Sequence, residues 1–255
     1  MKLDPKFIEE IRRFEKIYCL ISGGYHSTTS ALLLKDYGFK NVILIHNKTH
    51  LESKSCKNTM KKVIEITGYK YIETQLDLNG ETIWDIIKRS FQKIPEARRK
   101  LDEWNREKKK FKNMGQLKSI FECCDKLKKK PAKKFYNSIN KEKSIVITSL
   151  APYEGTNRRL RMVTLRKKQT YIDCIKSFGN VWHGYPFRDE FHEAKFREYL
   201  FSKGFSEIQH TGCVICPILI LFNHYDSHDY YNSLKAMARA GLPCFQKTIE
   251  DFIKK

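Results

Sequence analysis

The chain has 255 residues, long enough for one large domain or for one domain with a smaller appendage. It carries 49 Lys and Arg against 29 Asp and Glu, a net charge of +20, and such a field favours polyanions such as nucleic acid or a multiply phosphorylated nucleotide. No apolar run approaches the ~20 residues that a membrane span needs, so membrane spanning is excluded and no membrane partner is expected. Its eight cysteines sit in a chain too large and too Lys-rich to need a disulfide framework. Close spacing among them points instead to metal or redox chemistry.

The opening stretch, MKLDPKFIEEIRRFEK, reads as a charged amphipathic helix over 4–16 rather than a signal peptide. A soluble, cytoplasmic protein is the expectation. Ile17–Ile21 then reads as a short apolar strand, followed by a Ser-Gly-Gly turn and a helix opening at Ser27 or Thr28. A glycine-rich turn running into a helix leaves backbone N–H groups pointing at one spot, and the helix dipole adds to them. Gly23 and Gly24 tolerate positive φ and close approach of an anion, while Ser22, Ser27 and Thr28 offer hydroxyl donors. There is no Gly-Lys-Ser/Thr, so this is not a Walker A loop. An ordinary Ser/Thr-capped turn fits the same letters.

The helix runs to about Tyr37 and is stopped by Gly38. NVILIHN (41–47) is a continuous apolar run suited to a buried parallel strand. A helix over 53–67 ends at Gly68, and 69–77 reads as a third strand. Two strand–helix–strand units in succession imply a parallel sheet with right-handed crossovers. Ligands then bind at the carboxyl ends of the strands, where the Ser-Gly-Gly turn sits.

Residues 82–142 read as helical and highly charged, punctuated by Pro95, Met114-Gly115 and Pro131. From Lys93 to Lys143 there are 18 basic and 7 acidic residues, a cluster that favours an anion-facing surface over a merely solvated one. SIVITSL (144–150) returns as a strand. APYEGTNRRLRM follows as a polar loop, with Arg158, Arg159, Arg161, Arg166, Lys167 and Lys168 forming a second basic cluster. A candidate edge strand over 170–175 and a helix over 189–204 come next. Helices at about 227–240 and 244–253 close the chain. HYDSH (224–228) has i, i+4 metal-ligand spacing, but a solvated helix start capped by Asp226 or Ser227 is the better reading.

Cys123-Cys124 and Cys213-Val-Ile-Cys216 form the second informative pattern. Consecutive side chains on a helix diverge by roughly 100°, which ill suits one tetrahedral zinc. A cuboidal cluster offers separate iron corners, so the pattern favours 4Fe–4S over zinc. Buried structural cysteines beside a coincidental Cys-x-x-Cys are the alternative.

Together these features resemble the PP-loop superfamily of ATP pyrophosphatases and phosphoadenylyl-sulfate (PAPS) and adenylyl-sulfate (APS) reductases, in its iron–sulfur branch. SGGYHST (22–28) matches Ser-Gly-Gly-x-Asp-Ser-Thr except that His26 replaces the aspartate. CCDKLKKKP (123–131) matches the family's CC-x-x-x-Lys-x-x-Pro, placing Lys128 on the family's lysine. GCVICP (212–217) is similar to its second cysteine pair. SLAPYEGTNR (149–158) keeps Glu154 and Arg158 of the family's Gly-Ile-Arg-Ala-x-Glu-Ser-x-x-Arg loop but has Ala151 for the first arginine. The likeness covers roughly residues 15–220.

The resemblance implies an α/β fold: a parallel-sheet, Rossmann-like adenine nucleotide alpha-hydrolase domain over 1–180. It would include a helical, cysteine-bearing insertion at 82–142, with a helical C-terminal segment, 181–255, completing the cluster site. Ser22, Gly23, Gly24, His26, Ser27 and Thr28 would bind the nucleotide, ATP or adenylyl sulfate. Cys123, Cys124, Cys213 and Cys216 would hold a 4Fe–4S cluster, and Lys128 and Arg158 would balance anionic charge. In the pyrophosphatases the missing aspartate is associated with magnesium pyrophosphate, so His26 counts against efficient ATP cleavage. The reductases' Glu-Cys-Gly-x-His segment is absent; Cys244 is the remaining candidate nucleophile, although a packed residue is the better reading of it. These features imply sulfur chemistry, leaning to ATP-dependent sulfur transfer to DNA or tRNA with a sulfur- or electron-donor protein as partner. An APS/PAPS reductase and an inactive nucleic-acid-binding relative are the alternatives. His183 and Trp182 fall where family members line the nucleotide cleft, yet a buried structural histidine fits as well.

Overall fold

Asp4 and Pro5 start the first helix: the Asp4 carboxylate accepts the Lys6 N–H at 2.8 Å, and Pro5 lacks the N–H that a first helical residue leaves orphaned. Helix α1 (Pro5–Arg12) buries Phe7 and Ile11. The computed structural model describes residues 1–106, 120–154, 156–176, 179–206 and 208. Two compact units emerge among them. One comprises 1–47, 54–74 and the described residues from 132 onward; the other comprises 48–53, 75–106 and 120–131.

The first unit is built on a six-stranded sheet. Its strands are β1 (Lys16–Leu20), β2 (Val42–Asn47), β3 (Lys70–Thr74), β4 (Ser144–Ile147), β5 (Ile172–Ile175) and β6 (Val181–Gly184). Their order is β3-β2-β1-β4-β6-β5, parallel throughout except that β5 runs antiparallel to β6 at the edge. Helices α2 (Tyr25–Asp36) and α3 (Lys54–Thr67) supply the first two crossovers. The remaining helices of this unit are α6 (Lys130–Ser138, which begins in the other unit), α7 (Thr156–Lys167) and α8 (Glu193–Ser202).

Alternation along the strands separates two cores, as the period of two requires. Ile17 and Cys19 face one side with Leu44, Ile145 and Ile147, packed with residues of α1, α2, α3 and α8. Tyr18 faces the other side with Ile45, Val146 and Val181, packed with Tyr136 of α6 and with Ile139. Leu44 and Ile147 are fully buried, so truncating either to Ala should cost about 2–5 kcal/mol. Burial also pushes the Cys19 thiol up to about 12, which leaves it a packed hydrophobe at neutral pH.

The strand order reverses at β1. From β1 the chain winds outward through β2 to β3, then returns to place β4 on β1's other flank. Sheets of this kind place their ligand crevice at such a reversal, here the carboxyl ends of β1 and β4. The reversal brings the Ser-Gly-Gly turn beside residues 148–154.

Three local expectations are corrected. Where the sequence predicts a polar loop after β4 the described residues are largely helical: a 3₁₀ turn at Pro152–Glu154 precedes α7. Met162 and Leu165 are buried and anchor that helix, an apolar pair that the surrounding arginines masked. Helix α2 begins at Tyr25, with Gly24 as N-cap, rather than at Ser27 or Thr28. Val181–Gly184 is an inner strand that the sequence reading did not mark, being only four residues long. The expected edge strand over 170–175 is present as β5.

The described helices of the second unit lie within 83–106 and 120–131. A reciprocal capping box between Thr82 and Asp85 opens α4 (Ile83–Gln92), which buries Ile86, Ile87, Ser90 and Phe91. Helix α5 (Ile94–Arg106) follows, with Pro95 in its first turn. Glu122–Cys124 form a short helical turn, and Asp125–Lys129 a π-helical turn that ends just before α6. Pro131 thus lies inside a continuous helical path, and the widened turn before it absorbs the missing N–H. No helix among the described residues is long and apolar enough to cross a membrane.

Candidate functional site

The turn after β1 is shaped by its own small side chains. Gly23 adopts φ of 78°, and a Cβ placed there would lie 2.5 Å from the Cys56 carbonyl oxygen of α3. Only glycine fits, for both reasons. Ser27 Oγ accepts the Ser22 N–H at 3.1 Å and lies 3.2 Å from the Gly24 carbonyl. Its hydroxyl also meets the Ser22 hydroxyl at 3.1 Å. The two serines therefore close the turn on itself.

Gly24, as N-cap, offers no side chain to the helix, so the first N–H groups of α2 have no side-chain cap. Thr28 and Thr29 are fully buried in the helix, and their hydroxyl oxygens have no hydrogen-bond partner among the described residues. A helix start without a side-chain cap beside a positive-φ glycine is the geometry that receives an oxyanion.

His46, at the end of β2, was not singled out in the sequence. Its Nδ1 donates to the Ile21 carbonyl at 3.0 Å, bracing the peptide just before the turn. Nothing in the local pattern marks it; only the pairing of β2 with β1 brings it there.

Across the crevice, the segment after β4 holds His26. Glu154 Oε1 lies 3.3 Å from His26 Nδ1, while Nε2 of the same ring hydrogen-bonds to the Tyr153 hydroxyl. The Phe196 ring of α8 sits edge-on at 4.5 Å between centroids. Glu154 also accepts the Ala151 N–H at 2.7 Å and pairs with Arg158. Burial works against ionisation of Glu154, but the hydrogen bonds from His26 and Ala151 and the charges of His26 and Arg158 prevail and hold its carboxyl below the usual range. Ser149 donates to Ser30 Oγ at 2.7 Å, a further link between α2 and the segment after β4.

The rest of the second basic cluster is largely engaged. Arg161 reaches the Tyr185 hydroxyl at 3.0 Å and Asp173 at 3.5 Å, and Arg166 pairs with Asp189 at 2.6 Å. Lys168 faces Asp173 at 3.5 Å. Arg159 and Lys167 are exposed, with no ion pair among the described residues. His183 is buried on β6, where Thr148 Oγ1 lies 3.0 Å from its Nδ1. Burial first, then the charge of Arg161, pushes the imidazole down to about 4, so it is neutral and structural.

In the helical unit, Cys123 is buried and Cys124 half-buried on consecutive positions of one turn. The Cys123 N–H donates to the buried Ser90 Oγ at 3.0 Å. Four charges secure the turn further: Arg89 pairs with both Glu81 and Glu122, and Lys126 lies 2.9 Å from Glu81 and 3.3 Å from Glu122. Lys128 is exposed on the π turn. Among the described residues no three His, Cys, Asp or Glu side chains gather to hold a metal ion. Cys213, Cys216, Cys244 and the HYDSH segment lie outside the described residues.

No family model matches the sequence, and no curated protein sequence matches it. Among solved structures, the fold is similar to that of PAPS reductase from Candida auris, determined as a phosphate complex. The TM-score is 0.50 at 12% identity, covering 87% of this chain and 84% of that one. The chain therefore has a PAPS reductase-like, Rossmann-like α/β fold.

Proposed function

We propose that the protein binds an adenine nucleotide through its phosphates at the turn after β1 and uses it in sulfur chemistry. The observation that carries this reading is the juxtaposition at the strand-order reversal. An uncapped helix start with a glycine at positive φ lies against Arg158, through the His26–Glu154 contact. The similar fold of a PAPS reductase captured with phosphate supports the same ligand class.

Ser22, Gly23, Gly24, Ser27 and Thr28 form the nucleotide-binding turn, and His26 orients it through Tyr153 and Glu154. In the favoured variant, the adenylyl group of ATP passes to a nucleic-acid oxygen and pyrophosphate leaves. A sulfur donor then displaces AMP. The basic residues of 93–143 and the exposed Arg159 and Lys167 would bind the nucleic acid electrostatically.

Cys123 and Cys124 suit two corners of a 4Fe–4S cluster, being soft thiol ligands that diverge from one helical turn, with Cys213 and Cys216 as the other pair. Lys128 would stand near it as a counter-charge to an anionic substrate. When bound, the cluster would supply a redox-active or sulfur-polarising centre. Iron and acid-labile sulfide assayed after anaerobic purification should give about four irons per chain; one zinc without sulfide would remove the cluster from the account.

The test of activity is pyrophosphate and AMP release from ATP with tRNA or DNA and a sulfide source. Sulfite release from adenylyl sulfate with a thiol would instead select the reductase, with Cys244→Ser abolishing it. Saturable nucleotide binding with steeply salt-dependent nucleic-acid binding and no turnover would identify a regulatory member of the fold.

A further inference from the structure

The first turn of α2 is flanked by two guanidinium groups of matching construction. Arg158 on α7 pairs with Glu154 four residues earlier, and that glutamate also meets His26, the second residue of α2. Arg197 on α8 pairs with Glu193 four residues earlier at 2.7 Å, and its guanidinium carbon lies 4.9 Å over the ring of Tyr25, the first residue of α2. Two separate helices thus bring an arginine near the start of a third, Arg197 directly over Tyr25 and Arg158 at one remove from His26, through Glu154. Both arginines keep substantial exposure, with 41% and 43% of their side-chain surface accessible.

Two further charged groups border this corner beside Glu193: Glu190 and its partner Lys195 at 3.2 Å. Burial first, then the charges of Glu193, Glu154 and Glu190, pushes the Tyr153 phenol well above the ordinary range, with the charge of Arg197 opposing them. The carboxylates therefore gather where the arginines do, and each arginine is held by a carboxylate when no ligand is present. Exposed i, i+4 pairs of this kind are weak and exchange readily for a better partner. A phosphate offers a planar guanidinium two parallel hydrogen bonds at higher charge. The buried Thr28 hydroxyl, without a hydrogen-bond partner among the described residues, lies in the same stretch of α2.

We infer that Arg197, with Arg158, forms a two-arginine clamp that takes the distal phosphates of a nucleotide bound at this turn, each arginine leaving its glutamate to do so. The inference rests on the proposed nucleotide site and adds a binding residue that the sequence pattern did not mark. The clamp makes affinity depend on the number of phosphates. Loss of Arg197 weakens ligands in proportion to the charge they place beyond the α-phosphate, whereas loss of ring packing on Tyr25 weakens all nucleotides alike.

Isothermal titration of the full chain with ATP and AMP, with inorganic pyrophosphate as competitor, tests this. Arg197→Ala should weaken ATP and pyrophosphate about tenfold or more and AMP by less than about threefold. Arg197→Lys, which keeps the charge but not the fork, should fall between. Thermal unfolding of each variant confirms that the folded fraction is unchanged. ATP binding by wild type that is unaltered in Arg197→Ala, or an equal loss for ATP and AMP, overturns the clamp while leaving the nucleotide site standing. A wild-type chain that binds neither nucleotide overturns both.

Discussion

Two turns carry the residues that matter most, and they are held in different ways. The turn after β1 is fixed by backbone: a glycine at positive φ pressed against α3, two serines bonded to each other, and His46 bracing the preceding carbonyl. The cysteine turn of the helical unit is fixed by charge: two acids and two bases crossing between α4, the turn and residue 81, plus one hydrogen bond from Cys123 to Ser90. Backbone restraint tolerates almost no substitution but is indifferent to salt. Ionic restraint tolerates single losses but responds to salt and pH. The difference teaches where each turn should fail.

The largest effect is expected at Gly23. Its replacement by Ala sets a Cβ against the Cys56 backbone and forces a side chain into positive φ, a combined cost of about 3 kcal/mol or more. Denaturant unfolding should show this loss, and nucleotide binding should vanish with it. A variant of wild-type stability would mean that the turn is not clamped on α3.

A mid-sized effect should come from His183, in the core beneath the same crevice. Its folded pKa of about 4 lies below the unfolded value near 6.5. Stability is therefore complete above pH 6.5 and is lost as pH falls from 6.5 towards 4, because the unfolded chain takes up the proton first. The loss amounts to roughly 3 kcal/mol at most. His183→Asn should flatten the profile across that window, and an unchanged slope would assign the pH dependence elsewhere.

The smallest effect is expected at the ionic turn. Arg89→Ala removes two pairs that are partly open to water, and the resulting drop in melting temperature should be smaller than that of Gly23→Ala. It should shrink further in high salt, since wild type then loses the same interactions. A salt-independent loss as large as that at Gly23 would erase the contrast between the two turns.

The same contrast governs what could be read from the letters alone. Ser-Gly-Gly before a helix announced both its local shape and its place, because apolar strands on either side fixed the sheet and glycine has few other reasons to recur there. Gly38 and Gly68 marked the ends of α2 and α3, and both take positive φ. The partners of the turn were far less legible. Glu154 and Arg158 were placed only by resemblance, and the helix bearing Arg158 passed for a loop because its few buried residues are hidden among arginines. Tyr153, His46, Phe196 and Arg197 reach the turn and the start of α2 through contacts between elements distant in sequence. No local period announces such contacts. The pairing of Arg89 and Lys126 with Glu81 and Glu122 was invisible for the same reason, since a charge-rich helix reads as solvated until its neighbours are known.

Hydrogen exchange of the intact chain, followed by peptide with and without ATP, tests the central claim most directly. Residues 22–28 and 151–158 should gain protection together on adding nucleotide, and inorganic pyrophosphate should reproduce the change. Protection that appears elsewhere, with both segments exchanging as before, would contradict a nucleotide site at the reversal of strand order.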